Sequence, residues 1–220
     1  IANALEKYIK KSGTEIRREK VLSVVKTENV VTGLTTASGF ASFSEIIIAT
    51  GGVSYPGCGS TGDGLKFADT LGISVVPPRP SLVPVITREN TSHLAGLSLK
   101  NIRLDLEYKQ KVIFSEIGEM LFTHFGLSGP LVLSASARMS TGRTDDYIIS
   151  LDLKPALRNE QLDKRLISDL DKYAQRDFIN SLHDLLPRTL IPEIVRRSGI
   201  SERKKSGEIT KEERLSLASV

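Results

Sequence analysis

Apolar positions along the chain change their period repeatedly, and each change predicts a different kind of structure. Leu5, Tyr8 and Ile9 open the chain at helical spacing. Residues 14–20, 21–26, 30–36 and 40–49 then form short runs rich in β-branched side chains, with Ser38-Gly39 as a hairpin turn before the last. They predict a small β-meander that feeds residues 46–50. Ile46, Ile47 and Ile48 followed by Ala49 and Thr50 have the form of a strand buried on both faces. A helix should follow, with Ser60 or Thr61 as N-cap, Asp63 in the first turn, Leu65, Ala68 and Leu71 as the buried stripe, and Gly72 as its stop.

Three prolines among Pro77, Pro78, Arg79 and Pro80 interrupt both periods, so a second region is expected from residue 77. There Ile102, Leu104, Leu106 and Tyr108 alternate with Arg103, Asp105 and Glu107, the mark of a half-buried antiparallel strand that turns at Lys109-Gln110-Lys111 into residues 112–115. Residues 147–153 supply another strand, and Ser128-Gly129-Pro130 opens a helix over 131–139. From residue 154 the period is helical. Leu162, Leu166, Leu170 and Tyr173 form one face, Phe178, Leu182, Leu185 and Leu186 a second, and Leu190, Ile191, Ile194 and Val195 a third. Thr210-Lys211-Glu212-Glu213 is a capping box that starts a fourth helix. The organisation expected is therefore 1–76, a β-rich, barrel-like part over 77–153, and a helical part over 154–220, an α+β chain of several parts.

Composition narrows the classes. With 40% apolar and 25% charged residues in 220, the chain is that of a globular protein, and no apolar run reaches the length of a membrane span. The net charge of +4 arises from 30 basic and 26 acidic residues. Arg203-Lys204-Lys205 and Arg196-Arg197 are short and interrupted by Glu202, Glu208 and Glu193, and Trp is absent, so neither charge nor an aromatic platform points to nucleic acid. The single Cys58 excludes an internal disulfide and suits a reducing cytoplasm; it is either a small loop side chain or a redox or flavin-linked thiol. His93, His124 and His183 have no metal-ligand spacing.

Seven of the seventeen glycines lie between Gly51 and Gly72, a density that marks sharp turns or close approach by a ligand. Gly57-Cys58-Gly59-Ser60-Thr61-Gly62 has the letters of a dinucleotide fingerprint, but residues 51–56 separate it from the strand, and no carboxylate lies between Asp69 and Glu89 to hold a ribose. Asp63-Gly64 stands where a phosphate-binding loop carries lysine and a hydroxyl, which excludes a nucleoside triphosphatase. A carboxylate at a helix mouth repels phosphate and accepts hydrogen bonds from hydroxyls, so Asp63 either receives a ribityl or ribose group or only caps its helix. A second candidate is residues 119–128, where Thr123, His124 and Ser128 crowd a loop that runs into a helix N-terminus. There His124 either moves a proton or bonds backbone to hold the loop.

Ala49-Thr50-Gly51-Gly52 with Thr61-Gly62-Asp63-Gly64 resembles a pair of segments in FAD enzymes of the fumarate-reductase and succinate-dehydrogenase superfamily. Residues 77–84, 97–101, 118–130, 152–155 and 185–188 are similar to the bacterial YhiN-like, aminoacetone-oxidase-like flavoproteins. The resemblance implies that residues 1–76 are part of a Rossmann-like FAD-binding α/β domain with its β-meander, and that the two later parts form an insert. It implies Thr50, Gly51, Gly52, Thr61, Gly62 and Asp63 as flavin-side residues and Thr123 and His124 as substrate-side ones. The activity implied is hydride transfer between flavin and a small organic substrate or NAD(P)H, with neither nucleic acid nor membrane as partner. An N-terminal G-x-G-x-x-G and a C-terminal glycine-rich closing segment, which such proteins carry, are not in this sequence, so it reads as an internal fragment that is colourless alone. Val83 precedes Pro84 where the fumarate-reductase branch has a substrate-binding histidine, so fumarate chemistry does not carry over. The competing reading is a binding or scaffold module whose glycine loop is only a tight turn.

Overall fold

The computed structural model describes residues 2–139 and 144–220. The chain divides into two compact units, Ile1–Pro78 and Arg79–Val220.

In the first unit the helix α1 (Ala2–Lys11) buries none of its residues. Strands β1 (Val21–Thr27), β2 (Val30–Thr36) and β3 (Gly39–Ser42) form the expected antiparallel meander in that order. Two expectations fail here. Residues 14–20 form no strand, and the third strand ends at Ser42 instead of running to residue 49. The run 46–50 is unpaired, with Ile47 92% exposed, because no described strand lies beside it to complete a ladder. The described residues of this unit contain no parallel strand pair, so its Rossmann-like character rests on resemblance alone. Helix α2 (Asp63–Thr70) forms, but the side chain it buries is Phe67, while Leu65, Ala68 and Leu71 are half-buried. Gly62, not Ser60 or Thr61, occupies its N-cap. Lys26 of β1 donates to the Leu71 carbonyl at 2.6 Å, tying the C-terminus of α2 to the meander.

The second unit is a curled antiparallel sheet covered by helices. Its strands are β4 (Val85–Ile86), β5 (Ser98–Tyr108), β6 (Lys111–Thr123), β7 (Gly126–Ser128) and β8 (Tyr147–Asp152), in the order β4-β7-β6-β5-β8. Lys109 and Gln110, at φ 50° and 66°, make the two-residue turn between β5 and β6. Asn101, at φ 54°, sits where the β5–β6 register shifts, and this bulge brings Leu99 and Ile102 onto the face shared by Leu104 and Leu106. Residues 119–128 were expected as a loop; they are instead the end of β6 and the hairpin to β7, which alternating burial across Met120, Phe122 and Leu127 supports.

Helix α3 (Pro130–Ser136) lays Leu131, Val132 and Ala135 on the sheet, and Gly118 of β6 admits the Leu131 side chain. Helices α4 (Asn159–Lys172), α5 (Ile191–Ser198) and α6 (Lys211–Ala218) close the same apolar core. The capping box of α6 forms as expected, the Glu213 amide donating to Thr210 Oγ1 and the Thr210 amide to Glu213 Oε2. The helix expected over Phe178 to Leu186 does not. Only a 3-10 turn, Phe178–Asn180, appears, although Phe178 and Leu182 are fully buried; apolar spacing specified their burial without specifying an α-helix.

Glu193 is the buried carboxylate that ties α5 to the segment before β5. Arg196 and Arg197 each approach it to 2.6 Å, and Arg197 also reaches Glu89 at 2.6 Å. The Arg196 hydrogen bond, then that of Arg197, outweighs burial and holds the Glu193 carboxyl down at about 2. Its ordinary value is 4.5, so the unfolded chain takes up the proton first as pH falls, and the stabilisation present above 4.5 disappears on the way to about 2. Glu193→Gln is expected to lower stability by about 2 kcal/mol near neutral pH, with more than half of that difference gone by about pH 3. Denaturant unfolding of both proteins across that range is the check; a difference independent of pH contradicts it.

Candidate functional site

The glycine-dense stretch of the first unit is built from two segments that meet. Gly51, at φ 73°, turns the extended run away from its direction, and the Gly62 amide donates to the Gly52 carbonyl at 3.1 Å. A 3-10 turn, Pro56–Cys58, and Gly59 at φ 92° bring the chain back for that bond. Gly64 lies against Thr50. A methyl group at Gly64 would overlap Thr50 Oγ1 and come within 2.9 Å of Ile48 Cγ2. Thr50, Gly51, Gly52, Thr61, Gly62 and Asp63 are thus gathered into one small region.

Its charge is Asp63, the first residue of α2. Lys66 Nζ donates to Oδ1 at 3.1 Å and Thr61 Oγ1 to Oδ2 at 2.9 Å. The Lys66 bond first and the Thr61 bond second hold the carboxyl below the usual range. An ionised carboxylate with two oxygens retains acceptor capacity for further hydroxyl donors. Thr61 caps no amide of the helix; its hydroxyl is spent on Asp63.

Thr123 and His124 lie in the other unit, at the β6–β7 hairpin. Thr123 Oγ1 donates to the Gly126 carbonyl at 3.0 Å and so closes the turn. His124 is exposed, its ring edge-on to Phe125 at a centroid distance of 4.9 Å. The helix that follows, α3, is short and takes Gly129 at φ 94° as its N-cap. Among the described residues no cluster of three or more His, Cys, Asp or Glu is arranged to hold a metal, and no helix is long and apolar enough to cross a membrane.

The helical half of the second unit also holds an open cleft of about 780 Å³, among whose lining residues are Arg176, Asn180, His183, Arg188 and Lys205. Sequence reasoning did not find it. Its residues come from three separated segments with no common spacing, and the only signal was the basic cluster ending at Lys205.

A family model described as the HI0933-like protein barrel and H2TH domain matches residues 79–220. The chain belongs to the HI0933-like family. That family falls among the FAD-dependent oxidoreductases, so the flavoprotein resemblance holds at family level. The chain is similar to ribosomal RNA dihydrouridine synthase of Escherichia coli, 31% identical over 80% of this chain and 42% of the relative. The Haemophilus influenzae protein of the same name is 34% identical over 66% of this chain and 34% of the relative. A 3-dehydro-bile acid delta(4,6)-reductase of Clostridium scindens is 24% identical over 89% of this chain and 50% of the relative. The chain spans half or less of the length of these curated relatives, and none of the three carries the aminoacetone-oxidase name of the sequence resemblance.

The packing of Gly64 on Thr50 gives a direct test of the two-segment arrangement. Gly64→Ala is expected to destabilise by about 1–3 kcal/mol through the overlap, and Thr50→Ala in the same background to recover part of the loss. Thermal unfolding of the two variants decides; strict additivity contradicts the contact.

Proposed function

We propose that the complete protein is an FAD-dependent reductase that saturates an activated carbon–carbon double bond, with uridine in RNA as its substrate. The observation that carries the flavin part is the bond from the Gly62 amide to the Gly52 carbonyl, which gathers the two glycine segments around the ionised Asp63. These residues suit the hydroxyl-bearing part of FAD. Asp63 accepts from ribityl or ribose hydroxyls, and Gly52, whose missing Cβ would meet nothing within 4 Å, leaves a bare backbone face for close approach.

Support for the reaction comes from the names of the relatives. Dihydrouridine is uridine with its pyrimidine double bond reduced, and a delta(4,6)-reductase likewise removes unsaturation conjugated to a carbonyl. When bound, FAD supplies a two-electron relay through which hydride lost by NAD(P)H reaches one carbon of the double bond, while a proton completes the other. The chain's residues orient that group through Asp63 and the glycine backbone. His124, exposed and without an ion pair among the described residues, is the candidate to deliver the proton at the second carbon. Thr123 is engaged in the turn that presents it. An RNA substrate is proposed in place of the small organic one that the resemblance implied, and against the charge balance, because two relatives above 30% identity are named for ribosomal RNA.

The complete protein, supplied with FAD, NADPH and ribosomal RNA lacking the modification, is expected to form dihydrouridine, read by mass spectrometry of the digested RNA. Flavin oxidation by a small enone but not by RNA would move the substrate to the bile-acid type. Asp63→Ala should purify with much less flavin, and retention of the full flavin absorption spectrum overturns its role. His124→Ala should keep flavin and slow product formation by about a hundredfold or more, the usual worth of a positioned acid; an unchanged rate returns it to shaping the hairpin.

A further inference from the structure

The arginines in the helical half of this unit differ in whether a carboxylate holds them closely. Arg165, Arg196, Arg197 and Arg214 each hold a carboxylate within 3 Å. Arg176 and Arg188 hold none among the described residues, and both line the same cleft. Arg176 is exposed and lies over the Tyr173 ring, its guanidinium carbon 4.7 Å from the centroid, a cation–π contact that uses none of its N–H donors. Arg188 is exposed and makes no ion pair among the described residues. Lys205, also exposed, is paired to Asp177 at 2.7 Å, so three cations face one carboxylate along the cleft.

The backbone beneath them is held by bonds between distant segments. The Phe178 amide donates to the Lys204 carbonyl at 2.8 Å, the Ser206 amide to Arg176 at 3.0 Å and the Gly207 amide to Ala174 at 3.1 Å. Asp177 and Lys205 are bridged as in a sheet. Arg176 and Lys205 are therefore carried on one fixed frame. Ile179, Ile191 and Pro192 supply apolar surface, and Asn180 and His183 add neutral polar groups. Residues 154–220 carry fourteen lysines and arginines against eleven carboxylates, most of the net positive charge of the chain.

We infer that this cleft holds the phosphate backbone of the RNA substrate, with Arg176 and Arg188 as the phosphate-contacting residues and Lys205 contributing charge. This rests on the RNA reading above. Guanidinium forks match phosphodiester oxygens, an uncompensated pair of them in an open cleft suits a polyanion that passes through, and the apolar surface accommodates sugar and base. An ion pair for every arginine, as at Arg165, Arg196, Arg197 and Arg214, would have left nothing to neutralise a phosphate.

The test uses the complete flavoprotein and in-vitro transcribed ribosomal RNA, with binding measured across a range of salt. Arg176→Ala/Arg188→Ala is expected to bind about tenfold or more weakly at physiological salt and to flatten the slope of log affinity against log salt by about one to two units. Its flavin spectrum should be unchanged, and Arg176→Lys/Arg188→Lys should recover most of the salt slope but less of the affinity. Wild-type binding with an unaltered double-alanine variant overturns the cleft and leaves the RNA reading standing. Wild-type protein that neither binds RNA nor forms dihydrouridine overturns the RNA reading and the cleft together.

Discussion

Burial of the inward face of β5 is the constraint on which the rest of the second unit depends. The strand lies between β6 and β8, and Ile102, Leu104 and Leu106 are at most 2% exposed. Each fully buried aliphatic side chain of this kind is worth about 1.5–3 kcal/mol relative to exposure. That burial requires a cover on one face, which α3 and the helical segments provide through Val132, Leu166, Phe178 and Leu182. Sheet and helices therefore form one core, and any residue on the helical surface, the cleft cations included, inherits its position from that core.

The first unit is organised differently. Its described residues bury few side chains, and the run at Ile46, Ile47 and Ile48 stays largely exposed. What fixes the glycine segments is local: backbone turns at positive φ, one amide-to-carbonyl bond, and contact of Gly64 with Thr50. Such an arrangement shapes a backbone surface with little side-chain bulk, which a large planar cofactor can approach.

Electrostatics serves both units by pairing. Asp63 is held ionised by Lys66 and Thr61, Glu193 by two arginines, and Asp184 is drawn down to about 2 by its bonds from Lys172 and Tyr173. Among the described residues Arg176 and Arg188 at the cleft hold no carboxylate, and that pair of free guanidinium groups in one cleft carries the functional argument for that surface.

Local rules decided what the sequence could determine alone. Alternation marked β5 and the capping box marked the start of α6. These features rest on interactions within a few residues, which spacing encodes directly. Where contacts are distant, the same patterns misled. The isoleucines at 46–48 read as a buried strand, yet a strand needs a neighbour, and spacing does not say whether one is present. Phe178 to Leu186 read as a helix because burial and helicity leave the same apolar marks. His124 read as part of a loop before a helix, but β6 pairing with β7 places it on a hairpin. The cleft had no linear signature at all, since Arg176, Arg188 and Lys205 come together only through bonds between residues 174–178 and 202–207 and the core beneath them. Tertiary structure decided those positions because the free energy that sets them lies in contacts between segments far apart along the chain.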